Sequence, residues 1–153
     1  MGRLVAERAG VDFVDSDDVV ASRMGCSIAE FWGEHGEMAF RDMESAAIAS
    51  IAAGSDCVVA TGGGAILRAK NVATMRKTGT VVWLQAGPET LAERVGDSNR
   101  RPLLRNENPQ EKLKALGEER HDAYRAAAHA TVATDGLGLE TVATRIEELW
   151  NAF

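Results

Sequence analysis

An α/β fold, a doubly wound parallel sheet with flanking helices, is what this sequence predicts. The first sign is alternation: short apolar runs are followed in turn by segments of helical period along the whole chain, the pattern of strands joined by helical crossovers. The second is Gly62-Gly63-Gly64, placed between the apolar run Cys57–Ala60 and a helix-like segment starting near Ala65. Such a run is costly in backbone entropy and marks a place where the main chain turns tightly or touches something. The third is Asp15-Ser16-Asp17 at the end of another apolar run, because open α/β sheets bind ligands at the carboxyl ends of their strands.

The elements follow in order. Leu4, Val5 and Ala9 lie on one face of an opening helix under way at Met1, with no capping residue ahead of it. Val11–Val14 reads as a strand, and Asp17 or Asp18 as the cap of a helix through Met24 that stops at Gly25. Ser27 and Glu30 make a capping-box pattern opening a short helix through Trp32. A longer helix runs from about Gly36 to Ala53, with Phe40, Met43, Ala47, Ile48 and Ile51 on its core face and Gly54 as its stop. Strands are expected at Cys57–Ala60, Thr80–Leu84 and His129–Ala133. Helices are expected at Asn71–Lys77, from Pro88 through Val95, at Glu111–Ala127 and at Leu139–Ala152. Residues 96–109 are polar and hold Arg100-Arg101-Pro102, the composition of a loop.

At 153 residues, without repeat, linker or low-complexity tract, the chain reads as one domain with a sizeable core. A formal charge of −6 argues against a general nucleic-acid surface while leaving room for a local basic site for a small anion. Cys26 and Cys57 lack metal-ligand spacing and make no disulfide framework. Cys57, inside an apolar run, is expected to be a buried thiol in a reducing compartment. The sequence has no apolar stretch of membrane-spanning length and no signal-peptide pattern, so a cytoplasmic protein is expected.

The chemistry is carried by a few side chains, each with a plainer alternative. Asp15 and Asp17 suit Mg²⁺, which takes one or two carboxylates plus phosphate oxygens and waters, or a substrate hydroxyl; equally, they suit a helix cap. Arg41, with Glu44 three residues on, offers a guanidinium fork for a carboxylate, or a surface ion pair worth a few tenths of a kcal/mol. Arg94, Arg100, Arg101, Arg105, Arg120 and Arg125 concentrate positive charge in and around the loop of the second half. That is what phosphoryl transfer requires, although scattered arginines usually form a solvated face. His35, His121 and His129 lack metal-binding spacing, and Trp32, Trp83 and Trp150 read mostly as packing residues, with Trp32 a candidate pocket wall.

In order and spacing, several short motifs resemble the shikimate kinase family. They are Phe13-Val14-Asp15-Ser16-Asp17, Ser27-Ile28-Ala29-Glu30-Phe31-Trp32, Gly36-Glu37 with Phe40-Arg41 and Glu44, Thr61-Gly62-Gly63-Gly64, Arg101-Pro102-Leu103-Leu104 and Tyr124-Arg125. The similarity covers nearly the whole chain, and Gly2-Arg3-Leu4-Val5-Ala6 looks like the part of the family's first helix just after its phosphate loop. The resemblance implies a P-loop NTPase-like three-layer α/β/α fold and transfer of the ATP γ-phosphoryl group to the 3-hydroxyl of shikimate in aromatic amino-acid biosynthesis. By position, Asp15 lies near Mg²⁺, and Asp17 binds shikimate hydroxyls and accepts the proton of the attacking one. Arg41 and Arg125 clamp the carboxylate with Glu44 in support, and Gly63 and Gly64 offer N–H groups. Trp32 and Phe40 line the pocket, Arg101 reaches the phosphates from a lid over about 96–110, and Arg94 flanks the adenine. The resemblance departs at one point: the family has a first strand and a loop G-x-x-x-x-G-K-[ST] ahead of this region, and no such loop occurs in the sequence. The expectation is a single shikimate-kinase-like domain over 1–153, monomeric, N-terminally truncated relative to the family by roughly 15–20 residues, with an interior strand missing. A shikimate-binding homologue without catalysis, or a related kinase such as a gluconate kinase, are the alternatives.

Overall fold

The computed structural model describes residues 1–95 and 109–152. In chain order these form α1 (Gly2–Ala9), β1 (Asp12–Asp15), α2 (Ser16–Met24), α3 (Ile28–Ala52), β2 (Cys57–Ala60), a 3₁₀ turn (Ala65–Leu67), α4 (Ala69–Thr78), β3 (Val82–Gln85), α5 (Pro88–Val95), α6 (Pro109–Ala127), β4 (Ala130–Ala133) and α7 (Leu139–Trp150). Every expected strand and helix of the described residues is present, with boundaries displaced by a residue or two. No helix among the described residues is long and apolar enough to cross a membrane.

Local chemistry explains most of the boundaries. Gly10 and Gly25 end α1 and α2 in left-handed conformations, φ 68° and 69°, a region that a Cβ disfavours. The capping box opens α3: the Glu30 N–H donates to the Ser27 hydroxyl at 3.3 Å, and the Ser27 N–H donates to the Glu30 carboxylate at 2.9 Å. Gly36, at φ 79° and ψ 174°, breaks α3 into the short and long helices read from the sequence. Asp15, not Asp17 or Asp18, caps α2; its carboxylate accepts the Asp17 N–H at 2.9 Å and the helix begins at Ser16. The Asp17 carboxylate instead lies toward Gly62.

The strands form two parallel pairs. β1 lies on β2 in the register Asp12↔Cys57 to Asp15↔Ala60, and β3 lies on β4 from Val82↔Ala130 to Gln85↔Ala133. No ladder joins the two pairs among the described residues. Helices bridge them instead. On α6, Tyr124 stacks on Trp83 of β3 (centroids 5.3 Å apart, planes 9° apart), and its hydroxyl donates to the Gly63 carbonyl beyond β2 at 2.8 Å. Arg76 of α4 donates to the carbonyls of Ala127 and Ala128, at 2.9 and 3.1 Å, at the carboxyl end of α6.

The core beneath the site is built by α2 and α3. Val20, Phe40 and Ala47 are buried, with Val19, Met24, Ile28, Phe31, Trp32 and Met43 packed on them. Burying a side chain of the Phe40 class contributes about 1.5–3 kcal/mol. This packing fixes the long part of α3, and with it Arg41 and Glu44, the two charged residues on its buried face.

Candidate active site

The glycine run is where the site is assembled. None of Gly62, Gly63 and Gly64 has positive φ, so torsion is not what requires glycine here. Close approach is. A Cβ on Gly62 would lie 3.0 Å from Asp17 Oδ1 and 3.4 Å from Glu44 Oε1; one on Gly63, 2.8 Å from the Tyr124 hydroxyl and 3.8 Å from Arg120 Nη1; one on Gly64, 2.2 Å from Arg41 Nη1. Side chains from α2, α3 and α6 thus converge on three successive residues at the carboxyl ends of β1 and β2. Ligands of open α/β sheets bind at that position.

Arg41 is held on more than one side. Its Nη1 donates to both carboxylate oxygens of Glu44, at 3.2 and 3.1 Å, and its Nε and Nη2 donate to Glu37 Oε1 at 3.3 and 3.2 Å. The Trp32 and Phe40 rings lie 5.6 and 5.4 Å from its Cζ and 5.1 Å from each other. This is a buried charge set in an aromatic wall, not the surface pair that helical spacing alone allows.

Burial holds the Glu44 carboxyl above its ordinary value of 4.5; the Arg41 charge offsets this in part, and the Asp17 carboxylate adds to it. The folded state therefore takes up the Glu44 proton more readily than the unfolded chain does. Its contribution to stability is full below 4.5 and is lost as pH rises through the raised value. Denaturant unfolding of wild type and Glu44→Gln, from about pH 4.5 to about pH 7, is expected to show the wild type losing ground to the variant as pH rises. A difference that stays constant across that range refutes the assignment.

Among the described residues, Arg125, expected on the substrate carboxylate, does not stand at this centre. Arg125 is exposed, and the helical period turns it about 140° from Arg120. Arg120 takes its place: it shares a face of α6 with Tyr124, is half-buried, and its Nε has no hydrogen-bond partner among the described residues. In the sequence Arg120 stands out only as one of the basic set, yet its spacing of four residues from Tyr124 is a usable signal that the two share a helix face. Arg94 donates to the Thr134 hydroxyl and carbonyl, each at 2.8 Å, and so fastens α5 to the end of β4. Arg101 and residues 96–108 of the expected lid lie outside the described residues. Asp15 stands at the rim of an open cavity of about 370 Å³ shared with Arg3, Phe13, Asp18 and Ser22. One of its oxygens serves the cap of α2. The other suits Mg²⁺, which needs few protein carboxylates. No group of three or more metal-capable side chains occurs among the described residues.

Parallel strand pairs clad by helices, with acids and guanidinium groups gathered at the strand ends, are the arrangement of an α/β enzyme that handles a small anion. A family model described as "Shikimate kinase" matches residues 1–150. The chain belongs to the shikimate kinase family, whose members are ATP-dependent phosphotransferases. It is 43% identical over 150 residues to a shikimate kinase of Symbiobacterium thermophilum, covering 97% of this chain and 86% of that one. It is 39% identical over 153 residues to that of Moorella thermoacetica, covering 100% and 87%. The structure of an Acinetobacter baumannii shikimate kinase in complex with shikimate superposes with a TM-score of 0.94 at 34% identity, covering 99% of this chain and 84% of that one.

Proposed function

We propose that the chain binds shikimate against Gly62–Gly64 and directs its 3-hydroxyl to the γ-phosphoryl group of ATP. The observation that carries this is the meeting of Asp17, Arg41, Glu44 and Arg120 on one glycine run. In this reading Arg41 and Arg120 hold the substrate carboxylate, Glu44 fixes Arg41, and Trp32 and Phe40 wall the ring. The N–H groups of Gly63 and Gly64 face the substrate. Asp17 orients the attacking hydroxyl and takes its proton as the new O–P bond forms and the bond to the leaving ADP oxygen breaks. Asp15 would hold Mg²⁺, which when bound would supply charge neutralisation on the phosphates. Arg101 is assigned to the transferring phosphates from a lid over 96–110 on the resemblance alone.

The chain is further read as one domain over 1–153 in which β2 and β3 each keep an edge open to a further strand. Two pairs without a shared ladder, and exposed Val59 and Leu84 on those strands, support this. A cytoplasmic monomer acting on a small molecule completes the reading.

ADP release coupled to a reporter, run with shikimate and with gluconate on the chain alone and extended upstream, tests the activity. Shikimate-dependent release is expected, and a preference for gluconate overturns the assignment. Asp17→Asn is expected to lower kcat by about 10²–10⁴-fold with little change in KM. An unchanged kcat removes Asp17 from the chemistry.

A further inference from the structure

We propose, resting on the site reading above, that Glu37 is a place-holder for substrate: its carboxylate occupies the edge of Arg41 that the substrate carboxylate takes over, so binding is an exchange of one carboxylate for another. The geometry leaves an incoming anion little other access. Nη1 is committed to both oxygens of Glu44, and the Gly64 backbone closes on the guanidinium so tightly that a Cβ there would lie within 2.5 Å of Nη1, Nη2 and Cζ. The remaining edge, Nε with Nη2, is bridged by a single oxygen, Glu37 Oε1.

The two carboxylates are not equivalent. The Glu44 side chain is 1% exposed and has nowhere to go, whereas that of Glu37 is 57% exposed and can leave for water. Ionised groups keep most of their hydration at such exposure, and an exposed i,i+4 pair is weak. Departure of Glu37 by itself would leave Arg41, a buried residue, with one carboxylate fewer against a guanidinium taken out of water, which is unfavourable. An anion that arrives as Glu37 leaves removes that penalty, and a neutral polyol cannot. Glu37 thereby both keeps the guanidinium aimed and screens ligands for a carboxylate, at the expense of some affinity.

Calorimetric titration of the chain with shikimate, and with its methyl ester, tests the exchange. Glu37→Gln, which removes the competing charge and keeps the size, is expected to bind shikimate about 2- to 5-fold more tightly, with no gain for the ester. Glu37→Ala is expected to shift in the same direction, and thermal unfolding checks that both variants remain folded. Unchanged or weaker shikimate binding by both variants overturns the exchange and makes Glu37 a simple orienting partner of Arg41. Arg41→Gln distinguishes the two levels: should it bind shikimate as the wild type does, the site reading itself fails, whatever Glu37 does.

Discussion

Arg41→Gln is expected to lose shikimate affinity by about 10²–10³-fold in calorimetric titration, and to lose stability as well. The binding loss follows from removing a fork that gives two charge-assisted hydrogen bonds to a carboxylate, a change that costs about 3–4 kcal/mol when the group is desolvated. The stability loss has a separate origin. Glu44 is 1% exposed, and without the guanidinium its ionised carboxylate is a buried charge with its main counter-ion gone, at a cost of about 3–5 kcal/mol. Against a total stability of about 5–15 kcal/mol that is enough to unfold a marginal domain. The double variant Arg41→Gln with Glu44→Gln separates the effects: it removes the buried charge, so stability is expected to recover while binding does not. Recovery of binding in the double variant would show that Arg41 serves the fold alone. Arg41→Lys is expected to behave as a partial loss, because an ammonium has no planar fork to share between two carboxylates.

The alternation of strands and helices was legible because each element carries its own local signal. Pro88 fixed the start of α5, the Ser27–Glu30 pair the start of α3, and Gly36 the break within it. The pairing of β1 with β2, and of β3 with β4, was not legible in that way. Parallel partners are distant in sequence and share no turn chemistry. At the site, Asp17 of α2 and Glu44 of α3 both lie against Gly62 and Arg41 lies against Gly64, since their helices are fixed by packing under Phe40 and Val20. The placement on α6 differs from the reading by motif. Tyr124-Arg125 was read as a dipeptide motif, but on a helix the neighbour in sequence is not the neighbour in space. The residue that shares a face with Tyr124 is Arg120, four positions earlier. The role of Asp15 as a cap was blurred for a related reason: three acids within four residues compete for one N-cap, and only the strand end decides which is free to face the site.

Gly64→Ala is expected to be among the most damaging single-methyl substitutions at the described glycines, for a reason that torsion angles do not reveal. Gly64 sits at φ −94° and ψ −8°, a conformation open to any residue. Its new Cβ would lie 2.2 Å from Arg41 Nη1 and 2.5 Å from Cζ. Flexible side chains often swing away from such clashes cheaply. This one cannot, because Nη1 is bonded to both oxygens of the buried Glu44 and the Trp32 and Phe40 rings flank it. Either the guanidinium leaves Glu44 or the glycine loop lifts away from the site, and both moves pull apart the substrate contacts. The expected outcome is a stability loss of about 1–3 kcal/mol, the range for an overpacked interior, together with at least about a 100-fold loss of shikimate affinity. Gly33→Ala is the matched control. It adds the same methyl within α3, meets nothing within 4 Å, and is expected to bind normally with a melting temperature equal to or slightly above wild type. If Gly64→Ala also binds shikimate normally, the guanidinium and the glycine run do not grip one ligand between them. Arg41 and Glu44 would then be a buried ion pair of the fold, and the carboxylate would have to be bound elsewhere.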